Sequence, residues 1–243
     1  MKQVFSGLAE LAEAAAEYLV SVGEAAVAEN GRCLFALSGG STPQALFQRL
    51  SQPNYAGRDF WPACHIFWGD ERLVPPDDPG SNYQLAHDLL LRHLPIPAEQ
   101  IHRVRGEWAA AKAAAEYARQ LRQLASPDRA WPRFDLVLLG LGRDGHTASL
   151  FPGPIPLEET SQPVIPVTAD YDGRPAGRIS LTPLVFNDAR HLLFLVVGEE
   201  KAEAVTAVHH APHAPETWPA QRIRPHHGRV VWFLDEAAGA GLV

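Results

Sequence analysis

Nothing in the 243-residue chain approaches the ~18 consecutive uncharged apolar residues that a membrane-spanning helix needs. The amino terminus, MKQVFSGLAELAEAAAEYLV, is interrupted by Glu10, Glu13 and Glu17, which predicts a soluble amphipathic helix and not a signal peptide. Cysteine is almost absent: Cys33 and Cys64 both sit inside apolar runs at no metal-like spacing. They read as small core residues, neither metal ligands nor a disulfide, and a reducing cytoplasm fits that usage. A concentrated basic face is missing too. The formal net charge is −7 with Lys and Arg scattered, which argues against nucleic-acid binding, because counterion release needs clustered cations.

What the chain does have is apolar substance, 46% hydrophobic residues with 20% charged, enough for one substantial core and one domain over 1–243. Apolar runs of four to eight residues alternate with helical patterns, the mark of βαβ units around a largely parallel sheet. The spacing predicts a helix over Ser6–Ala28, a strand Cys33–Leu37, a helix Pro43–Leu50 and a strand His65–Trp68. GDERLVPPDDPG follows as a loop whose prolines forbid regular structure. Ser81 to Gln84 has the form of a capping box opening a helix to about His93. A further helix spans Glu107–Leu124, a strand Asp135–Leu139 and short strands Val164–Val167 and Arg178–Leu181. A strand His191–Val197, a helix Glu200–His209 and a strand Val230–Leu234 complete the order. Residues 169–176 and 212–225 are the stretches expected to be mobile.

Ligands of open α/β sheets bind beyond the carboxyl ends of strands, and four loops in such places carry unusual residues. Ser38-Gly39-Gly40-Ser41-Thr42-Pro43 follows a buried strand. Its glycines let backbone N–H groups approach an anion, Ser41 or Thr42 can cap the next helix, and Pro43 suits a first turn, so the loop should hold a phosphate. It is not a Walker loop, because the Gly-Lys-Ser/Thr ending is missing. Gly69-Asp70-Glu71-Arg72 sets two acids beside a base at a strand end; a solvated charged loop is the plain alternative. Gly140-Leu141-Gly142-Arg143-Asp144-Gly145-His146 presents a carboxylate and an imidazole two residues apart. It matches G-x-G-x-x-G, but Pro152 stops the crossover helix that dinucleotide binding requires, so nicotinamide binding is not expected. Gly198-Glu199-Glu200-Lys201 places a lysine on a helix's first turn, where an anion in front of it would offset the unfavourable dipole; a solvated surface lysine is the alternative.

Together SGGSTP, GDERLVPPDDPGSNY, LGLGRDGHTASLFPG, RISLTPLVF, VVGEEKAEAV and VVWFLDEAA, in this order along the chain, resemble the 6-phosphogluconolactonases of the glucosamine-6-phosphate isomerase superfamily. The resemblance implies a three-layer α/β/α sandwich with a mostly parallel, modified Rossmann-like sheet, no metal or organic cofactor, and hydrolysis of 6-phospho-D-glucono-1,5-lactone to 6-phospho-D-gluconate. By the same resemblance His146 is the general base that activates water, a role suited to a side chain whose ordinary pKa is near ~6.5. Asp144 orients that imidazole or a substrate hydroxyl, and Arg72 holds phosphate or stabilises developing charge. Gly39, Gly40, Ser41, Thr42 and Lys201 grip the phosphate; Asp70, Gly145 and Arg178 also fall at substrate-binding positions. A small sugar-phosphate lactone is the expected partner and a monomer the simplest state.

The sister isomerase and deaminase activity would need a glutamate five residues beyond His146, where this chain has Phe151. A sugar-phosphate-sensing module of the same fold would carry a helix-turn-helix segment for which there is neither spare length nor a basic helix. A serine nucleophile at Ser149 lacks the G-x-S-x-G elbow. His209, His210 and His213, or His226 and His227, have a spacing compatible with a metal, yet they sit in or beside a proline-rich loop and read as part of a polar surface loop.

Overall fold

The computed structural model describes residues 1–171 and 173–242. Its strands are β1 (Lys2–Phe5), β2 (Cys33–Leu37), β3 (Cys64–Trp68), β4 (Asp70–Arg72), β5 (Leu136–Leu139), β6 (Val164–Thr168), β7 (Gly177–Leu181), β8 (His191–Val196) and β9 (Arg229–Asp235). Its helices are α1 (Leu8–Asn30), α2 (Ser41–Leu50), α3 (Pro53–Ala56), α4 (Asn82–Leu89), α5 (Ala110–Leu124), α6 (Pro183–Phe186), α7 (Ala202–His210) and α8 (Glu236–Gly239). Six strands form one sheet in the order β1-β9-β8-β5-β2-β3, every neighbouring pair parallel. The other three form a small antiparallel sheet, β4-β7-β6.

Side chains alternate across a strand, and here the alternation divides the core in two. Phe35 and Leu37 of β2 and Leu136 and Leu138 of β5 pack on one side against Leu11 and Leu19 of α1 and Phe47 of α2. Leu34, Ala36, Val137 and Leu139 point the other way, against Tyr117 and Leu121 of α5 and Val205 of α7. Both faces of the parallel sheet are covered, which is why its strands read as unbroken apolar runs. Each such side chain removed from water contributes ~1.5–3 kcal/mol, so the layering follows from the strand sequences themselves. The expected capping box is half made: Ser81 Oγ accepts from the Gln84 N–H at 3.1 Å, while the Gln84 side chain turns to Asp88 and the Ser81 N–H bonds the Asp78 carbonyl instead.

The structure departs from the sequence reading in four places. Lys2–Phe5 is a strand, β1, added to the sheet edge beside β9; its side chains are mostly exposed, so no apolar period announces it. Asp70–Arg72 is not loop but strand β4, because its partner lies at residues 178–180, beyond any local pattern. Cys33 and Cys64 are core residues that also form a disulfide, since β2 and β3 are adjacent and pair these two positions directly. Residues 212–225 hold a 3₁₀ turn over Pro219–Arg222 whose Gln221 and Arg222 are buried and hydrogen-bonded to Ala207, Pro212 and Pro215 carbonyls.

His65 on β3 and His102 face each other, Nδ1 to Nε2 at 3.0 Å, with His102 also stacked on Phe67. Burial, with the neighbouring His65 adding to it, pushes His102 down to about 4. A folded value below the ordinary 6.5 means that the unfolded chain binds the extra proton, so this stability is whole above pH ~6.5 and is lost as pH falls towards 4. His102→Gln should flatten that decline. The check is the urea midpoint measured from pH 7 to pH 4 in both proteins.

Candidate active site

From β2 the chain moves outward to β3, then returns to place β5 on the other side of β2, with Phe35 opposite Leu136 and Ala36 opposite Val137. This reversal of winding opens a crevice at the carboxyl ends of β2 and β5, the place where such sheets bind ligands. A cavity of about 420 Å³ lies there. Gly39, Gly40, Ser41, Thr42, Asp70, Arg72, His146, Arg178 and Lys201 all line it, so five separate segments, β4 and β7 among them, converge on one space. Asn82, Tyr171, Arg174, Arg143 and Glu200 line it as well and were not singled out in the sequence. Five cationic side chains, Arg72, Arg143, Arg174, Arg178 and Lys201, therefore face two acids, Asp70 and Glu200, in a protein whose net charge is −7.

The glycyl turn delivers an uncapped helix end. Gly40 is the N-cap of α2 with φ 105°, and no side chain caps that end. Ser41 and Thr42, expected as caps, are instead the first helical residues. The free first-turn N–H groups and the helix dipole favour an anion at this point. Gly39 is required by close approach, since a Cβ there would lie 1.8 Å from Asn82 Oδ1. Lys201 ends the 3₁₀ turn Glu199–Lys201 after β8 and is the N-cap of α7, which brings this residue to the wall of the same cavity.

His146 sits on the loop after β5. Asp144 Oδ1 accepts from its Nδ1 at 2.6 Å, which assigns the Nδ1 proton to that bond and turns the lone pair of Nε2 outward. Burial alone would raise the Asp144 carboxyl; the hydrogen bond and charge of His146 outweigh it and hold the pKa below the ordinary value. The ring stacks on Phe151 at 4.6 Å between centroids and meets Tyr171 edge-on at 4.6 Å. A Cβ at position 142 would fall 2.0 Å from His146 Nδ1, so only glycine lets the pair lie across the turn. The loop is stitched by Gly142 N–H to His146 O (2.7 Å) and Thr147 Oγ1 to Gly140 O (2.8 Å). Asp144 stands behind the imidazole and does not line the cavity, and neither does Gly145. Gly145, expected at a substrate-binding position, turns the chain at φ 77° beneath Trp218. Ser149 is buried and donates to Asp70 Oδ2 at 2.7 Å.

The charged loop of the sequence proves to be buried structure. Glu71 accepts from the N–H groups of Arg72, Asn82 and Tyr83, each at 2.7 Å, and from Ser81 Oγ at 3.0 Å. It thereby fastens the start of α4 to β4. Arg72 donates through Nη1 to the Gly80 carbonyl at 2.5 Å. In the β4–β7 register Arg72 lies opposite Arg178. Arg178 is 3% exposed, and its Nε and Nη2 have no partner among the described residues. Burial pulls its pKa below the ordinary value; Asp70 opposes that shift, and Arg72 and Arg174 add to it. An unpaired guanidinium beside a second one, both at a cavity wall, is a site that an anion would complete. Asn82 and Arg174 left little signal in the sequence: one reads as helix start, the other as part of a mobile loop.

Among the described residues no three of His, Cys, Asp and Glu converge where a metal ion could sit, and no helix is long and apolar enough to cross a membrane. Residues 7–232 match the family model for glucosamine-6-phosphate isomerases and 6-phosphogluconolactonase. A 6-phosphogluconolactonase of Haemophilus influenzae is 39% identical, covering 83% of this chain and 84% of the relative. One from Nostoc is 39% identical over 90% and 88%. The solved structure of 6-phosphogluconolactonase from Trypanosoma brucei superposes with a TM-score of 0.86 at 30% identity, covering 100% of this chain and 98% of that one. The α/β sandwich, the six motifs in order and these likenesses agree, and the chain belongs to the glucosamine-6-phosphate isomerase/6-phosphogluconolactonase family.

Proposed function

We propose that this protein hydrolyses 6-phospho-D-glucono-1,5-lactone to 6-phospho-D-gluconate with His146 as general base. The observation that carries the reading is that His146, backed by Asp144, and the uncapped start of α2 line one cavity, so one ligand can be gripped by its phosphate while its ester is attacked. The glycyl turn, the first amides of α2 and Lys201 take the phosphate. Nε2 of His146 removes a proton from water as the water oxygen bonds to the lactone carbonyl carbon. Arg178, with Arg72 beside it, takes the negative charge that builds on the carbonyl oxygen. Collapse of the tetrahedral species breaks the bond from carbon to ring oxygen, and the imidazolium returns its proton to that oxygen. Asp144 keeps the ring in the competent tautomer and stabilises its charged form.

A δ-lactone is an activated ester, so these tools are sufficient. A general base supplies ~10² to 10⁴-fold and an oxyanion donor ~10² to 10³. Positioning of the ring by the phosphate adds the orientation. Phe151, whose ring covers His146 where an isomerase would need a glutamate, supports hydrolysis over proton shuffling. The test is disappearance of 6-phosphogluconolactone, corrected for its spontaneous background, with glucosamine 6-phosphate assayed in parallel. Turnover of the lactone alone is expected; turnover of the amino sugar in its place would overturn the assignment.

The phosphate grip has its own consequence. Lys201→Ala should raise KM for the phosphorylated lactone about 10-fold, ~1.4 kcal/mol, with little change in kcat. Its preference over unphosphorylated gluconolactone should shrink by the same factor, as steady-state kinetics on both substrates would read.

A further inference from the structure

Arg222 lies outside the cavity of the active site, yet it is among the most heavily bonded side chains of the molecule. Its Nε donates to the Pro215 carbonyl at 2.9 Å, Nη1 to both carboxylate oxygens of Glu159 at 3.0 and 3.1 Å, and Nη2 to the Phe151 carbonyl at 3.1 Å. The two charged side chains are 4% and 5% exposed. Burying such a pair is costly and gives little net stability compared with apolar packing. The expense is explained by what the third bond holds. Phe151 ends the loop that carries His146, just before Pro152, whose ring nitrogen can donate no hydrogen bond. The phenyl ring lies between His146, stacked at 4.6 Å and 30°, and the Arg178 guanidinium, 5.5 Å from its centroid.

We propose that Arg222 is a positioning residue for the reaction, fixing Phe151 by its carbonyl so that the phenyl ring holds the His146 imidazole at its working angle. This rests on His146 being the base. A guanidinium suits the task and an ammonium does not, because a planar fork can reach a carboxylate and two carbonyls on three separate segments at once. Glu159 keeps that fork aimed. The arrangement binds the proline-rich segment before β6, the 3₁₀ turn 219–222 and the catalytic loop into one support, and small misplacements of a reacting group carry large rate penalties.

Arg222→Lys keeps the charge and the pairing with Glu159 but not the fork. It is expected to lower kcat about 5- to 10-fold while KM changes less than about twofold, because the phosphate grip sits on other elements. Phe151→Leu, which keeps the carbonyl and removes the ring, should lower kcat comparably. Adding Arg222→Lys to Phe151→Leu should then cost less than about twofold more, since both changes act through the same ring. A kcat within twofold of the parent for Arg222→Lys, or effects of the two changes that multiply in the double variant, would overturn the proposal. Should Arg222→Lys fail to fold, Phe151→Leu decides alone, and an unimpaired kcat there is equally fatal. His146→Ala in the same assay separates the two readings: an active protein removes the base itself, whereas a collapsed one beside a normal Arg222→Lys removes only the positioning role.

Discussion

His146→Ala is expected to lower kcat by ~10² or more and to leave KM for the phosphorylated lactone within about twofold. The asymmetry follows from placement. The imidazole is held from behind by Asp144 and from the side by Phe151, whereas the phosphate is assigned to α2 and Lys201 on other strands' loops. Removing the ring deletes proton transfer and leaves the grip intact. The spontaneous hydrolysis of the lactone sets the floor, so rates must be read against an enzyme-free control. An alanine variant with near-normal kcat would remove His146 from the chemistry.

Arg178→Ala is expected to cost ~10² to 10³ in kcat, the usual loss when a donor aimed at a developing oxyanion is deleted. Its guanidinium is buried with two nitrogens unpaired, contacts the same phenyl ring as His146 and lines the same cavity, which is why the oxyanion is assigned to it. Arg178→Lys should recover little of the loss, because a point charge does not reproduce the fork. The contrast with Lys201 is diagnostic: one change should fall on kcat and the other on KM. A variant at 178 that merely raises KM would move this residue to the phosphate.

Much of this architecture is legible before any coordinates. β2 begins and ends where its apolar run does, Ser81 caps α4 as its spacing requires, and Asp144 and His146 meet because they are two residues apart on a turn that Gly142 keeps open. The misses share one physical origin, dependence on a partner distant in sequence. β1 exists through β9, β4 through β7, and the bridge of Cys33 to Cys64 through the register of two strands. Tyr171 and Arg174 reach the cavity from a segment rich in turn formers such as Asp170, Gly173 and Pro175. At Gly145 the structure shows a turn requirement: its φ of 77° and its approach to Trp218 account for the glycine, and it does not line the cavity.

The crowd of cations around the crevice has a cost at the end of the cycle. Opening the lactone creates a carboxylate, so the molecule leaving carries one more negative charge than the one that entered. Five cationic residues line that crevice, and the added charge is expected to make them hold the product more firmly than the substrate. Departure is expected to slow at low ionic strength, added salt to loosen the hold, and accumulated 6-phosphogluconate to compete for the vacated mouth.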